Sequence, residues 1–513
     1  MRKMNMIIRY TSILYSFFLV CALCSSTSIK ADNFGIRVLP SVESPLNYTN
    51  FQTSSQVQLD MVRGEVEHLQ LVFKCNPGDK YSFKKSSLGK GLKSSFRELK
   101  LINGYYDALV PMNRDIVCED TLAVVWITFA CDYATKPGEY KQTVEISGRQ
   151  DSVIEITLLV HGVDIPRYSS IPVTVGVENR CITDGFTGNE ADKEKQRWVD
   201  FVLSYRMTPV FGTQVAPERW QYDHSFSPWS WNDKRTWKLL DDERYSCFML
   251  PYFALSHQEL NLMLKALQKK DKLEKCLFYI WDEPAYMDDY KQIISRVDTI
   301  RKIVPEAKVL TTFFCGPRDG DRKGDLYAVY DYLKETIDVA STSLAPCGGK
   351  EEEVQAIREH APESMNWWSY ICWEPGGKEP NFLLSMKGIQ QRAIMWRTWK
   401  NKSEGFLYWD SNIYHKRIPF TYITDMPHGD GILIYPGDVF GTQGPVASAR
   451  LERWRDGVEE MELLRLLEQQ RNRAASDNVL QMVYHSPSDY IEMAGNIIAF
   501  RKRLISEIEE SSR

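Results

Sequence analysis

The 513-residue chain carries no strong excess of charge of either sign: 63 Lys and Arg stand against 68 Asp and Glu, a formal net charge of -5. No basic field exists to hold nucleic acid or an anionic membrane surface, so a neutral or weakly charged ligand fits better. Histidine is scarce, eight in all, and no His-Glu-x-x-His pair occurs, so no catalytic metal is expected. Beyond residue 31 there are nine cysteines, none in the paired C-x-x-C spacing of a zinc site. Glycine-rich phosphate loops are missing too. The lone run Ser86-Ser87-Leu88-Gly89-Lys90-Gly91 lacks their spacing, and Glu178-Asn179-Arg180 follows a strand where a dinucleotide fold needs a glycine-rich turn. No cofactor is therefore expected. Past the first thirty residues no apolar run reaches the roughly 18 residues of a membrane helix.

What is present begins with a leader. Arg2, Lys3 and Arg9 precede an apolar run over 13–24, too short to span a bilayer, and small or polar residues follow up to Ala31. This predicts a signal peptide over 1–31, with Ser26 and Ala31 as cleavage points and export to the periplasm or the medium. Lipidation at Cys21 or Cys24 is disfavoured because Val20 and Leu23 stand where a small residue is expected.

Residues 32–168 read as a β-sandwich. Short β-rich runs at 57–62, 66–75, 122–130, 140–146 and 153–163 are separated by turn formers such as Asn76-Pro77-Gly78 and Lys136-Pro137-Gly138. Ile154, Ile156, Leu158 and Val160 alternate with the period of a half-buried strand. Cys75 and Cys131 fall in this region, where an oxidising compartment allows them to pair. Near residue 170 the period changes. Strand-like runs at 173–177, 209–212, 247–251, 276–281, 308–313, 337–343, 366–372 and 405–409 alternate with helical patterns. Eight such units over about 250 residues are the rhythm of a (β/α)8 barrel, whose chemistry sits at the C-terminal ends of its strands. The expected architecture is thus a multidomain α/β chain, with the sandwich, a barrel over 169–425 and a helical C-terminal extension over 426–513.

The fourth strand runs directly into Asp282-Glu283-Pro284. Two acids before a proline also suit a polar loop that caps the next helix. Their place at the catalytic end of a barrel strand favours chemistry, because acids there are costly to install without a task. Glycoside hydrolysis needs one carboxyl to protonate the leaving oxygen and a second group to manage positive charge on the sugar. Adjacent strand residues face opposite sides, so the backbone must turn for both to reach one sugar. Pro284 ends the strand and biases Glu283 toward an extended conformation. Aromatics near other strand ends are candidates for sugar contact: Trp368 and Tyr370 on one face of the seventh strand, Tyr408 and Trp409 at the end of the eighth. Trp367 reads as barrel packing. Of 14 tryptophans only Trp126 precedes Trp198, which places any aromatic platform outside the sandwich.

Tyr279-Ile280-Trp281-Asp282-Glu283-Pro284, Trp367-Trp368-Ser369-Tyr370, Leu407-Tyr408-Trp409, Asp430-Gly431-Ile432-Leu433-Ile434-Tyr435-Pro436-Gly437 and Arg450-Leu451-Glu452-Arg453-Trp454-Arg455-Asp456-Gly457 together resemble glycoside hydrolase family 123 and its wider bacterial relatives. The resemblance covers nearly the whole mature chain. It implies a retaining β-N-acetylgalactosaminidase in which the substrate's own 2-acetamido group attacks, Glu283 is the general acid/base, and Asp282 orients and stabilises the acetamido group. Two other readings stay open on the residues: a glycosidase for another sugar with Asp282 as direct nucleophile, and a carbohydrate-binding protein on a silent barrel.

Overall fold

A computed structural model describes residues 35–47, 55–216, 221–252, 255–348, 351–414 and 427–512. The expected leader and the junction expected between residues 425 and 426 lie outside the described residues. Ten strands form the front of the chain: β1 (Gly35–Pro40), β2 (Gln56–Arg63), β3 (Val66–Lys74), β4 (Lys80–Lys85), β5 (Leu92–Ile102), β6 (Tyr105–Pro111), β7 (Asp115–Val117), β8 (Leu122–Cys131), β9 (Gly138–Ser147) and β10 (Ser152–Asp164). They make two five-stranded sheets, β1-β3-β8-β5-β6 and β2-β10-β9-β4-β7. Alternation explains the second sheet: Ile154, Ile156, Leu158 and Val160 face Leu71, Phe73, Val125, Ile127 and Phe129 of the first across one core. Strands β3 and β8 are buried on both faces, since Val72, Val124 and Trp126 pack away from that core toward the rest of the molecule. This is why both read as nearly continuous apolar runs.

The second body is a sheet of β11 (Val173–Glu178), β12 (Thr208–Ala216), β13 (Gln221–Ser225), β14 (Phe248–Leu250), β15 (Cys276–Trp281), β16 (Lys308–Phe313), β17 (Val339–Ser343), β18 (Asn366–Ile371) and β19 (Gly405–Tyr408), in the order β13-β12-β11-β19-β18-β17-β16-β15-β14. All neighbours are parallel except β12 and β13. The eight parallel strands fall where the sequence placed them, in a barrel-like sheet whose described ladders do not by themselves make an exact ring of eight. A ninth strand, β13, folds back antiparallel on the free edge of β12, so among the described residues no ladder joins β12 to β14. The sheet is barrel-like, with helices outside. Its interior is filled by Val210, Met249, Leu277, Tyr279, Leu310, Val339, Trp368, Tyr370 and Leu407, one or two residues from nearly every parallel strand. Gly405 makes room for the Trp368 indole, which a Cβ there would meet at 2.3 Å.

The cysteine pairing also differs from expectation. Cys75 and Cys131 remain buried thiols, and the disulfide joins Cys315 to Cys347, whose Cα atoms lie 5.4 Å apart beyond the ends of β16 and β17. Strand pairing holds β3 and β8 in a register that sets Cys75 opposite neither Cys131 nor its neighbours: Lys74 pairs with Leu122, at the other end of the ladder.

The helix Ala449–Gln470 acts as a wedge. It is buried over most of its length, including the charged residues Arg450, Glu452, Arg453, Arg455, Asp456, Glu459, Glu460 and Glu462. Buried ions persist only when paired or hydrogen-bonded, and several of these are paired across bodies. Arg450 bonds Asp107 of β6 through Nε at 3.0 Å and Nη2 at 2.9 Å. Glu452 takes Arg97 of β5 at 2.5 Å, and His68 of β3 lies 3.3 Å from both Glu452 and Asp456. Arg501 of the last helix (Ala494–Ser511) pairs with Glu67 at 2.6 Å. Removing one partner of such a pair strands the other without a counter-charge. Asp107→Asn is expected to destabilise the protein by about 3–5 kcal/mol, seen as an early unfolding step in calorimetry or urea titration. An unchanged transition would show that Arg450 is held by its carbonyl partners alone.

Candidate active site

The two acids reach one cleft through two successive backbone irregularities. The ladder between β15 and β16 shifts register between Tyr279 and Trp281, where Tyr279 pairs with Leu310 and Trp281 with Thr311. This bulge breaks the alternation. Tyr279 points into the barrel, whereas Ile280 and Trp281 both join the outer core beneath the helices. Arg296 of the helix Met287–Ile303 lies 4.4 Å over the Trp281 ring and locks it outward. Asp282 is thereby turned inward. Glu283 then adopts φ +44°, the left-handed region, and not the extended conformation expected before Pro284. The strain of a non-glycine residue there is of order 1–3 kcal/mol, and the Glu283 amide, donating to Thr312 Oγ1 at 3.0 Å, helps to hold the turn.

Hydrogen bonding treats the two carboxyls differently. Asp282 Oδ1 accepts from Tyr279 OH at 2.6 Å and from Thr312 Oγ1 at 2.8 Å, and those two hydroxyls lie 2.9 Å apart. Among the described residues Glu283 Oε1 accepts from a single side chain, the phenol of Tyr370 on β18. Both acids open onto solvent in the cleft, while the protein packed behind them removes much of their hydration. Burial raises the Asp282 carboxyl, and its two hydroxyl donors oppose the rise. Glu283 is pushed up to about 7 by burial and then by the charge of Asp282, with the Tyr370 bond and the Arg318 guanidinium opposing. The phenols of Tyr279 and Tyr370 are raised well above their ordinary value, mainly by burial, so both stay protonated as donors.

On the Asp282 side the cleft deepens into a cavity lined by Gly176, Val177, Val210, Gly212, His224, Tyr279, Leu407, Tyr408, Trp409 and Asp410. The His224 ring, from β13, lies 4.2 Å from that of Tyr279. Trp409 is anchored by its indole nitrogen, which donates to Asp430 Oδ1 at 3.0 Å. The sequence candidates therefore separate. Asp282, Glu283, Tyr370 and Trp409 come together, and Tyr408 borders the same cavity as Asp282 and Trp409. Trp368 is buried one layer below Tyr370 in the barrel interior. Tyr408 is fully buried with its ring against Phe382 and Trp454, and its hydroxyl donates to the same Asp430 oxygen at 3.2 Å. Trp367 faces the helices beside Tyr330.

Residues 193–467, more than half of the chain, match the glycoside hydrolase 123 catalytic domain. The chain belongs to glycoside hydrolase family 123. Membership makes it a glycoside hydrolase. A family 123 glycoside hydrolase from Clostridium perfringens, whose structure addresses glycolipid glycan hydrolysis, aligns over 93% of this chain and 98% of its own with a TM-score of 0.66 and 13% identity, a likeness of fold. A Bacteroides ovatus GH5 xyloglucanase aligns over 83% of this chain and 100% of its own at 11% identity and a TM-score of 0.28. A Dictyoglomus thermophilum β-D-glucuronidase gives 75% and 66% at 8% identity and a TM-score of 0.30. No curated protein sequence matches.

Tyr279, Thr312, His224, Asp410 and Asp430 escaped the reading of the family 123 sequence. Asp410 carried the same signal as Asp282, an acid directly after an apolar strand. Tyr279 stood directly before the bulge, at the right parity for the interior. Thr312 and His224 gave none, since nothing local marks a hydroxyl or imidazole as facing a carboxylate on another strand. Tyr370→Phe removes a donor that favours the ionised form of Glu283, so the Glu283 titration should move upward from about 7. Difference infrared spectroscopy of the protonated carboxyl band, referenced to Glu283→Gln, reads this directly; a downward move would mean that the phenol does not bond the carboxylate.

Proposed function

We propose that this family 123 enzyme is a retaining exo-glycosidase that releases terminal β-linked N-acetylgalactosamine by participation of the sugar's 2-acetamido group. The observation that carries the reading is the unequal treatment of two neighbouring carboxyls. Asp282 is fixed by two hydroxyls, as a residue must be to hold the acetamido N–H and balance charge on the forming ring. Glu283, raised to about 7, suits a group that gives a proton and takes one back near neutral pH. In the first step the acetamido oxygen bonds to C1 as the C1–O bond to the leaving group breaks, and that oxygen takes the Glu283 proton. In the second, Glu283 accepts a proton from water as the water oxygen attacks C1 and opens the oxazolinium, restoring the acetamide with retained configuration. Trp409 offers an apolar face for the sugar. The description of the Clostridium relative supports glycolipid or related glycans as the substrate class, and the leader read from the sequence supports action outside the cytoplasm.

Two measurements test this. Chromogenic β-glycosides should be cleaved only with a 2-acetamido group, and the galacto epimer should be preferred; equal cleavage of the 2-hydroxy galactoside would transfer the attack to Asp282 itself. In a leaving-group series, Glu283→Gln should lose roughly 10² to 10⁴-fold in rate on poor leaving groups and much less on nitrophenyl ones. Asp282→Asn should lose a similar factor whatever departs, because its work is on the acetamido side. Identical leaving-group dependence for the two variants would refute the division of roles.

A further inference from the structure

A third acid lines the cavity beside Asp282. Asp410 follows Trp409 just beyond β19, is 6% exposed, and lines the cavity with Asp282, His224 and Trp409. Glu283 is not among the lining residues, so the cavity lies on the Asp282 side. The position of Asp410 is over-determined. Ser411 Oγ donates to the Gly176 carbonyl at 2.8 Å, Asn412 Oδ1 accepts from the Glu178 amide at 2.7 Å, and Asn412 Nδ2 donates to the Glu178 carbonyl at 3.3 Å. A Cβ on Gly176 would fall 1.8 Å from the Trp409 carbonyl oxygen, so only glycine lets this segment sit so close over β11. The Asp410 carboxyl is bonded from its own turn, by the Asn412 amide to Oδ1 at 2.9 Å and by the Ser411 amide. Among the described residues no side-chain donor bonds it.

We propose that Asp410 is a specificity-determining residue, hydrogen-bonding one ring or exocyclic hydroxyl of the sugar held against Asp282. The inference rests on the glycosidase reading above for the identity of that sugar. A nearly buried acid without a side-chain partner, clamped on both sides and opening onto a cavity, is a placement that a polar ligand completes. Burial, and next the charge of Glu178, hold its carboxyl well above the usual range. A carboxyl accepts in either state and also donates when it holds its proton, so it can match a hydroxyl, a group with both capacities. A site built around one hydroxyl rejects the analogue that lacks it, because the buried polar group is then left unpaired.

Calorimetry of the full chain with free N-acetylgalactosamine, N-acetylglucosamine and the 3-, 4- and 6-deoxy forms of the former reads this site without turnover. One deoxy sugar should bind the unaltered protein roughly ten- to several-hundredfold more weakly than its parent. Asp410→Ala should weaken the parent by a similar factor and leave that deoxy sugar unchanged, whereas Asp410→Asn, which keeps a donor and an acceptor, should stay within about tenfold for the parent. If Asp410→Ala melts early, Asp410→Ser serves the same comparison. Equal weakening of every sugar by Asp410→Ala or Asp410→Ser, equal binding of all deoxy sugars by the unaltered protein, or no hexosamine binding at all would each overturn the proposal. Hexosamine binding with the expected pattern but no hydrolysis of any acetamido glycoside would leave the subsite standing and remove the proposed reaction.

Discussion

The joint on which the rest of the structure depends is Arg450. Its guanidinium is buried at 1% exposure and reaches three parts of the chain at once. It pairs with Asp107 of the sandwich, and it donates to the carbonyls of Phe382, Gly429 and Ile432 at 2.5 to 2.7 Å. Those last two carbonyls bracket Asp430, the residue that accepts from Tyr408 and from the Trp409 indole at the edge of the cleft. The turn itself needs glycine: Gly429 has φ +94° and Gly431 φ +67°, and a Cβ on Gly431 would meet the Trp409 ring at 2.6 Å. A sandwich that touches no reacting group thus fixes the orientation of an aromatic wall through one planar cation. Lysine, a point charge with fewer and unforked donors, could not serve these partners together.

The same logic of compensation separates the structural acids from those in the cleft. Burial alone would raise Glu452, but Arg455 and Arg97, with His68 behind them, hold it well below the usual carboxylate range. Glu283 suffers a comparable loss of hydration and receives a phenol, a more distant guanidinium and the repulsion of Asp282. Around Glu452 and Asp456 of the wedge helix the surrounding cations outweigh burial, and the cleft withholds such charge from Glu283. A carboxyl able to exchange its proton near neutrality is the result of that withholding.

Much of this was written locally in the sequence. The alternation of β10, the continuous runs of β3 and β8, and the strand ends at Trp281 and Tyr408 follow from period and flanking turns. Strand β5, Leu92–Ile102, did not stand out, because its lysines, serines and glutamate face water or the helix wedge and hide the alternation. The back-folded β13 was equally illegible, since Gln221–Ser225 is polar and earns its place from the vacant edge of β12. Within the site, the pair Asp282 and Glu283 and the phenol Tyr370 were readable from their positions on strands. The bulge at Ile280 and the left-handed Glu283 were not, for both depend on register with β16 and on the Thr312 hydroxyl, which no nearest-neighbour pattern encodes.

That dependence explains why adjacency of two acids is a usable design at all. On a regular strand Asp282 and Glu283 would face opposite sides, and one of them would be driven into the apolar layer under the helices. The bulge spends one residue to put Ile280 and Trp281 together in that layer, where both are buried, and so frees the next position to face inward. The left-handed turn then brings the following residue to the same side. Each irregularity has its own support in the packed scaffold, Arg296 over Trp281 for the first and Thr312 beneath the Glu283 amide for the second. Thr312 also bonds the Asp282 carboxyl, so the scaffold fixes the acids while both remain exposed in the cleft.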